Sequence, residues 1–561
     1  MQILDYGTHF LVRMERDYFF NRNLQAIKDL PAEGRKWWRD KNAWWVTGAL
    51  REQVHQLQFS HKAKFVNPTT ATAEEIGEIE PLPELTIIPP IKDVELRPYQ
   101  TNGVAQGMNL RRYMNGDEQG LGKTLQTIAT IATLAKEGHD VFPAVIICPA
   151  SLKENWRREI EKFTDHQAMV LTDKNKNSWM RYYEVGYAQF FITNYESIKK
   201  YFVTSMPTKA RYKSIEIGLS PLADTVKTII IDESHKCKDS TRQQTKLCLR
   251  LAHKRNNVIL LSGTPVVNKP IDLWPQICIM GHSQTFGPTE KDYKDRFCDG
   301  GYGSSNLKAL NYLLNKHCYF RREKKDVAKD LPSKDRQKIL CEISNRPEYQ
   351  QAEDEFMNWL LAQNYDDEKL ASALRGQALV KMNVLRQISA RGKIEQAQEF
   401  IDEVLDAGEK LIVFCNLKVI IASLKGIYPN AVTITGDDDT ISRQRHIDAF
   451  QSDPKTQLIL CNIKAAGVGI TLTASSRVLF IEFPWTYADC VQCEDRAHRI
   501  GQVWPVMCSY LLGIDTIDEK MLDTILLKKD LAQGVTGSTD NMEMSTVDKI
   551  INLFNQKKSI Q

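Results

Sequence analysis

Two short stretches carry residues whose types and spacing suit phosphate chemistry. Asp117-Glu118-Gln119-Gly120-Leu121-Gly122-Lys123-Thr124 sets two glycines before a lysine and a hydroxyl, then runs into Leu125-Gln126-Thr127-Ile128-Ala129, which has helical character. A glycine-rich turn that opens a helix directs backbone N–H groups and the positive helix end at one point, which suits an anion. From there Lys123 can reach outer phosphates and Thr124 can ligate magnesium. The plainer reading is a turn that only caps a helix, and Asp117 stands where the generic loop has glycine. The second stretch, Ile229-Ile230-Ile231-Asp232-Glu233-Ser234-His235, is an apolar strand ending in adjacent carboxylates. Asp232 can hold magnesium and Glu233 can polarise an attacking water, against the bland alternative of a solvated acidic strand end.

A third stretch, Gln492-Cys493-Glu494-Asp495-Arg496-Ala497-His498-Arg499-Ile500-Gly501-Gln502, puts Arg496 and Arg499 three residues apart. On a helix they share a face, and two guanidinium groups could neutralise a transferring phosphoryl group. A solvated basic face is the other reading. Ser262-Gly263-Thr264-Pro265 closes an apolar run and could sense the γ-phosphate side, or be an ordinary turn.

These residues need elements to hold them. Val145–Pro149, Phe190–Thr193, Thr228–Asp232 and Val258–Ser262 are continuous apolar runs with polar ends, the pattern of buried parallel strands with chemistry at their C-terminal ends. A helical stretch from about Arg346 to Arg391 follows. A second alternation then runs through Leu411–Cys415, Leu458–Cys461 and Val478–Ile481. The expected fold is therefore α/β, with two parallel-sheet lobes and helical insertions. A small N-terminal α/β module precedes them, with strands at Phe10–Met14 and Trp44–Val46 and helices at Asn23–Leu30 and about Glu52–Leu57. Its tryptophan pairs, Trp37-Trp38 and Trp44-Trp45, alternate with Arg35, Lys36, Arg39 and Lys41. They could stack on bases beside phosphate-binding cations, or form the core of a small domain. The domains expected are 1–65 (accessory module), 66–94 (acidic, Pro-rich linker), 95–322 (first lobe), 323–395 (helical connection), 396–518 (second lobe) and 519–561 (helical tail, with a last amphipathic stretch at Val547–Phe554).

Composition leaves this open to a nucleic-acid partner only through a local patch, since 74 basic against 70 acidic residues give a net charge of +4. Twelve cysteines scattered in apolar stretches imply free buried thiols in a reduced, intracellular protein. Cys490 and Cys493 form one CxxC without a second pair, which argues against zinc. The start lacks a secretory pattern, and no 18-residue apolar run suggests a membrane span.

Together, the series Asp-Glu-Gln-Gly-Leu-Gly-Lys-Thr, Asp-Glu-Ser-His, Leu-Ser-Gly-Thr-Pro and Gln-x-x-Asp-Arg-Ala-His-Arg-Ile-Gly-Gln resembles the Swi/Snf-type ATPases of helicase superfamily two, from about Leu96 to Asp518. That family has Asp-Glu where the generic loop begins with glycine, so Asp117 fits. The resemblance implies RecA-like lobes, ATP and Mg2+ as cofactors, and double-stranded or forked DNA as partner. It implies nucleotide contacts from Arg97, Gln100 (reading adenine), Gly120, Leu121, Gly122, Lys123 and Thr124. Thr124 and Asp232 would hold the metal, and Glu233, Asp232, Lys123, Arg496 and Arg499 would be catalytic. DNA contacts would come from Ser151, Asn155, Thr193, Tyr195, Gly467 and Thr471, with Trp37 and Arg39 added by the N-terminal module. Phe320–Val327 with Leu331-Pro332 resembles the segment joining the lobes. Phe480–Asp489, Thr516–Glu519 and the N-terminal module are similar to the annealing-helicase branch.

The function this implies is a DNA-dependent ATPase, a monomeric motor that translocates on duplex or forked DNA and remodels or reanneals it. Replication or repair proteins are possible partners, and the expected setting is a bacterial or phage-infected cytoplasm. The rivals are a remodeller that displaces DNA-bound proteins and a nucleotide-switched scaffold that grips DNA without turnover.

Overall fold

The computed structural model describes residues 2–5, 9–13, 20–38, 43–60, 64–66, 88–209, 211–263, 270–298, 306–361, 368–466, 469–484 and 487–522. The chain divides into two compact units, Met1–Pro81 with Lys269–Tyr319, and Leu82–Asn268 with Phe320–Gln561.

In the first unit a five-stranded sheet runs in the order Arg35–Trp38, Ala43–Thr47, His9–Arg13, Gln2–Asp5, Lys64–Val66. All pairs are antiparallel except the last. Inward residues Ile3, Phe10, Val12 and Val46 meet Ile27 of the helix Phe20–Lys28 and Val54 of the helix Arg51–Ser60. The expected strands and helices are present, and Gln2–Asp5, Arg35–Trp38 and Lys64–Val66 are additions. Trp44 packs against this core, whereas Trp37 on the edge strand is 47% exposed. Arg35 lies over the Trp44 ring and Lys36 over Trp45. Trp44 and Trp37 thus divide between core and surface. In the segment Lys269–Tyr319 the described residues include the helices Trp274–Met280, Glu290–Phe297 and Leu307–His317, with Tyr293 buried among Trp274 and Phe297 and donating its hydroxyl to the Pro270 carbonyl at 2.8 Å. Arg39 and Lys41, most of the linker, Thr264-Pro265 and the tail beyond Leu522 lie outside the described residues.

The second unit holds two RecA-like lobes. Six strands of the first sheet run parallel in the order Arg112–Asn115, Asn257–Leu261, Thr228–Asp232, Ala144–Cys148, Phe190–Asn194, Ala168–Val170. Ile230, Ile146, Ile192 and Ile259 are buried against Ile128 and Ile131 of the helix Lys123–Lys136 and Trp156 and Ile160 of the helix Lys153–Phe163. Helices cover the sheet, so its strands are apolar on both faces. The second sheet is wholly parallel in the order Lys334–Cys341, Val506–Gly513, Arg477–Phe480, Leu411–Cys415, Leu458–Asn462, Val432–Ile434. Phe480 stacks on Tyr510 with centroids 4.6 Å apart. Two helices, Arg346–Leu361 and Glu368–Gly392, lie in the expected helical stretch.

Both sheets present their C-terminal strand ends as polar edges. Asp232, Asn194 and Cys148-Pro149 fall there in the first lobe, and Asn462 and Cys415-Asn416 in the second. This is the usual ligand edge of an open α/β sheet.

Candidate nucleotide site and interlobe groove

The phosphate loop is shaped by glycine. Gly120 and Gly122 have φ of +86° and +77°, conformations L side chains rarely adopt. Contact also forbids larger residues. A Cβ on Gly120 would lie 3.0 Å from Arg499 Cβ, and one on Gly122 would lie 2.5 Å from Gln100 Nε2. Gly122 caps the helix Lys123–Lys136. The Lys123 amine curls into the loop and donates to the carbonyls of Asp117 at 2.7 Å and Glu118 at 3.4 Å. Burial pushes its pKa down, opposed by Glu233, Asp117 and Asp232.

Asp117, fully buried, is a clamp. Its carboxylate accepts from the Arg322 backbone N–H at 3.0 Å, from the Arg322 guanidinium, and from Gln126 Nε2 at 3.0 Å. Arg322 also donates to the Tyr99 carbonyl and lies over the rings of Tyr99 and Phe320. Charge stands at position 117 because an arginine from the interlobe segment plugs into it. Gln100 secures the other side of the loop, accepting from Arg97 N–H at 3.0 Å and donating to the Leu121 carbonyl at 3.2 Å. The Arg97 guanidinium pairs with Asp330 at 2.5 Å.

The acidic pair ends a central strand. Asp232 Oδ1 accepts from Glu233 N–H at 2.9 Å, and Oδ2 accepts from the Trp156 indole N–H at 2.9 Å. Burial, then the Glu233 charge, push the Asp232 pKa up to about 6. Glu233 has a left-handed backbone, φ +52°. The Tyr195 hydroxyl holds it, donating to the carbonyls of Asp232 at 2.7 Å and Glu233 at 3.2 Å. His235 Nδ1 lies 3.3 Å from both Glu233 Oε2 and Ser262 Oγ. Burial pushes its pKa down to about 4, so the ring is neutral near pH 7.

Arg496 and Arg499 do not share a helix face. The helix Tyr487–Glu494 ends before them, and they sit in the turns that follow. At the end of that helix Glu494 and Asp495 are held in buried ion pairs. Lys334 reaches Glu494 at 2.9 Å and Asp495 at 3.0 Å, Arg336 reaches Glu494 at 2.6 Å, and Lys324 reaches Asp495 at 2.8 Å. Burial would raise the Asp495 pKa, but Lys324 and Lys334 hold it well below the usual carboxylate range. The arginines still converge. Both donate to the Ile470 carbonyl, Arg499 at 2.9 Å and Arg496 at 3.4 Å, and Arg496 also donates to Gln119 Oε1 at 3.2 Å. Burial, then the neighbouring Arg499, lower the Arg496 pKa to about 10.

Lys324 joins the same contact. Its backbone N–H donates to Glu118 Oε2 at 2.7 Å and its amine to the His498 carbonyl at 2.9 Å. Beside it, Tyr99, Leu121 and Ala328 form an apolar cluster against which Ile500 packs.

A groove separates the lobes. Ser151, Glu154 and Asn155 line it from the first, and Arg443, Gln444, Ile447, Asp448, Gln451, Gly469, Ile470 and Thr471 from the second. Arg158 and Asp448 pair across it at 3.2 Å. Gly469 has φ +67°, and a Cβ there would overlap Leu152. Three of the residues expected at DNA therefore meet here: Ser151, Asn155 and Thr471. Thr193 and Tyr195 do not line it, being 0% and 2% exposed. Gly467 lies outside the described residues, and Trp37 belongs to the other unit. Arg443 was not singled out from sequence, while Trp156 and Lys324 stood only inside motifs, Trp156 closing the first-lobe segment Pro149–Trp156 expected at DNA and Lys324 in the joining segment, with no role of their own.

Residues 99–396, more than half of the chain, match the SNF2-related domain. The chain belongs to the SNF2-related family. As a family member it is a helicase-like ATPase, and its residues 392–501 match the helicase conserved C-terminal domain. It is 28% identical to a Caenorhabditis elegans homolog of SWI/SNF-related matrix-associated actin-dependent regulator of chromatin subfamily A-like protein 1, over 98% of this chain and 78% of that protein. It is 29% identical to the human DNA annealing helicase and endonuclease ZRANB3 over 82% of this chain, and spans 41% of that protein's length. Among solved structures, the Sulfolobus solfataricus SWI2/SNF2 ATPase core in complex with dsDNA is 24% identical. The match covers 84% of this chain and 97% of that one, with a TM-score of 0.38. Among the described residues of this SNF2-related chain, no helix is long and apolar enough to cross a membrane.

Proposed function

We propose that this chain hydrolyses ATP to translocate on double-stranded or forked DNA and to remodel or reanneal it. The observation that supports this best is at Ile470. Its residue lines the groove, while its carbonyl holds both Arg496 and Arg499 against the phosphate loop. A groove occupant and a nucleotide would thus act on one segment.

ATP is the substrate, its triphosphate lying over Gly120–Thr124. Lys123 exchanges the carbonyls of Asp117 and Glu118 for phosphate oxygens. Magnesium fits the donors: the Thr124 hydroxyl and the Asp232 carboxylate are hard oxygen ligands, and two partly buried carboxylates stand on adjacent residues at Asp232 and Glu233. Bound there, the ion supplies charge neutralisation at the phosphate oxygens. Glu233 orients the attacking water and receives its proton. Arg496 and Arg499 stabilise charge that develops on the transferred group. Gln100, already against the loop, keeps a second amide hydrogen for the base edge, with Arg97 beside it.

Ser151, Asn155 and Thr471, with Gly467 nearby in sequence, take the DNA backbone, while Thr193 and Tyr195 support the first lobe beneath it. Trp37 and Arg39 add affinity for forks. In domain terms the motor comprises 95–322 and 396–518 joined by 323–395, amended in that Lys334–Cys341 is a strand of the second lobe's sheet and Lys269–Tyr319 groups with the other compact unit, and the module 1–65, linker 66–94 and tail 519–561 are additions. It acts as a monomer beside replication or repair proteins.

The test is triplex displacement on duplex together with reannealing of a bubble coated with single-strand-binding protein. ATP-dependent activity in both supports the proposal. Displacement of a protein block with no reannealing would favour the remodeller, and inertness in all three assays would contradict translocation.

A further inference from the structure

The helix Lys153–Phe163 has two faces with different neighbours. Its outward side, with Glu154 and Asn155, lines the groove, and Arg158 reaches Asp448 of the second lobe. At four-residue spacing Leu152, Trp156 and Ile160 turn inward, 4%, 1% and 0% exposed. Trp156 fills space there and also donates its indole N–H to Asp232 Oδ2 at 2.9 Å. One turn of helix thus separates the groove from the carboxylate at the strand end. Ion pairs of Arg157 with Glu154 and Glu161 brace the helix along its length, so it moves as a body.

We infer that Trp156 is a positioning residue that couples occupancy of the groove to the placement of the Asp232 carboxylate. This rests on the reading of Asp232 as a magnesium ligand and of the groove as the DNA path. A strand that draws on Ser151 and Asn155 shifts the helix, and the indole carries that shift to Oδ2. The hydrogen bond also fixes the rotation of the carboxylate, whose Oδ1 is held by Glu233 N–H. Tyr195 secures the backbone of the same pair through the carbonyls of Asp232 and Glu233. Residues of both first-lobe segments expected at DNA therefore end on the acidic pair. Partners that orient a metal ligand in this way commonly change metal affinity or activity roughly 10–100-fold.

Trp156→Phe keeps the ring and removes the donor. Binding of a fluorescent, non-hydrolysable ATP analogue is titrated with Mg2+, with and without blunt duplex. Duplex affinity and heat stability are measured on the same protein. In the wild type, duplex lowers the Mg2+ needed for half-maximal binding. In the variant that requirement rises roughly tenfold and no longer responds to duplex, while duplex affinity is unchanged. A Trp156 that only fills the core would lower the melting temperature and leave the Mg2+ requirement and its response as in the wild type, which overturns the inference. A folded variant that has lost duplex binding overturns it too. If Trp156→Phe does not fold, Tyr195→Phe deletes a single hydroxyl and must blunt the duplex response, and an intact response overturns the inference. Wild-type protein without Mg2+-dependent nucleotide binding or duplex binding would contradict the proposed function itself, before any variant is compared.

Discussion

Gln119 and Arg496 are 377 residues apart in sequence and meet at 3.2 Å, the guanidinium Nη2 donating to the amide Oε1. The second lobe thus touches the phosphate loop next to its glycines. Arg496→Ala should lower kcat about 10³-fold with a far smaller change in the KM for ATP, as expected of a cation that acts on the transition state. Arg496→Lys should not rescue it, because an ammonium cannot hold Ile470 and Gln119 together. Steady-state kinetics with saturating duplex measure both.

The Arg322–Asp117 pair is a different kind of contact. Asp117 is fully buried and the Arg322 side chain 17% exposed. Removing one partner strands the other charge away from water. Asp117→Ala should therefore destabilise the protein by about 3–5 kcal/mol. Chemical denaturation of the nucleotide-free protein reads this directly. The corresponding loss of activity should follow loss of fold.

Acid should switch the site off through Asp232. Its carboxyl titrates at about 6 in the folded chain against 3.8 in an ordinary environment. Below about pH 6 the group takes a proton and no longer offers a charged ligand, so Mg2+-dependent turnover should fall as pH drops through that value. Raising Mg2+ should move the limb to lower pH. The stability sign is the opposite. A folded-state pKa above the unfolded value makes the group's contribution fully present below 3.8 and lost as pH rises through about 6. Without nucleotide or metal, Asp232→Asn should therefore raise the melting temperature at pH 7.5 while abolishing turnover.

Gly469 limits how closely the lobes approach. Its left-handed φ and its contact with Leu152 both exclude a side chain. Gly469→Ala should cost about 1–2 kcal/mol from backbone conformation alone and should hold the lobes apart. DNA-stimulated turnover should fall more than DNA-free turnover. Leu152→Ala should restore part of the stimulation in the double variant, which a mutant cycle quantifies.

The sequence carried the phosphate loop, the acidic strand end and most strands of both lobes, because glycine placement and long apolar runs are local signals. It did not reveal the strand Lys334–Cys341, which lies at the edge of its sheet, is largely exposed and reads as polar. Nor did spacing show how Arg496 and Arg499 would be held. Ion pairs of Glu494 and Asp495 with Lys324, Lys334 and Arg336, all more than 150 residues away, anchor the chain just before them. Trp156 was invisible as a partner of Asp232 for the same reason, 76 residues separating them. Tyr195 lies in a segment expected at DNA and instead turns its hydroxyl to the acidic pair. Its motif could be read, but the direction of one side chain could not.

The most direct measurement is ATP hydrolysis by the purified chain alone and with single-stranded, duplex and forked DNA, beside Lys123→Ala. A motor whose groove and nucleotide site meet at Ile470 should be stimulated strongly by duplex or fork, and the variant should be inactive throughout. Equal turnover with and without DNA, or stimulation by single strands alone, would contradict a double-strand translocase.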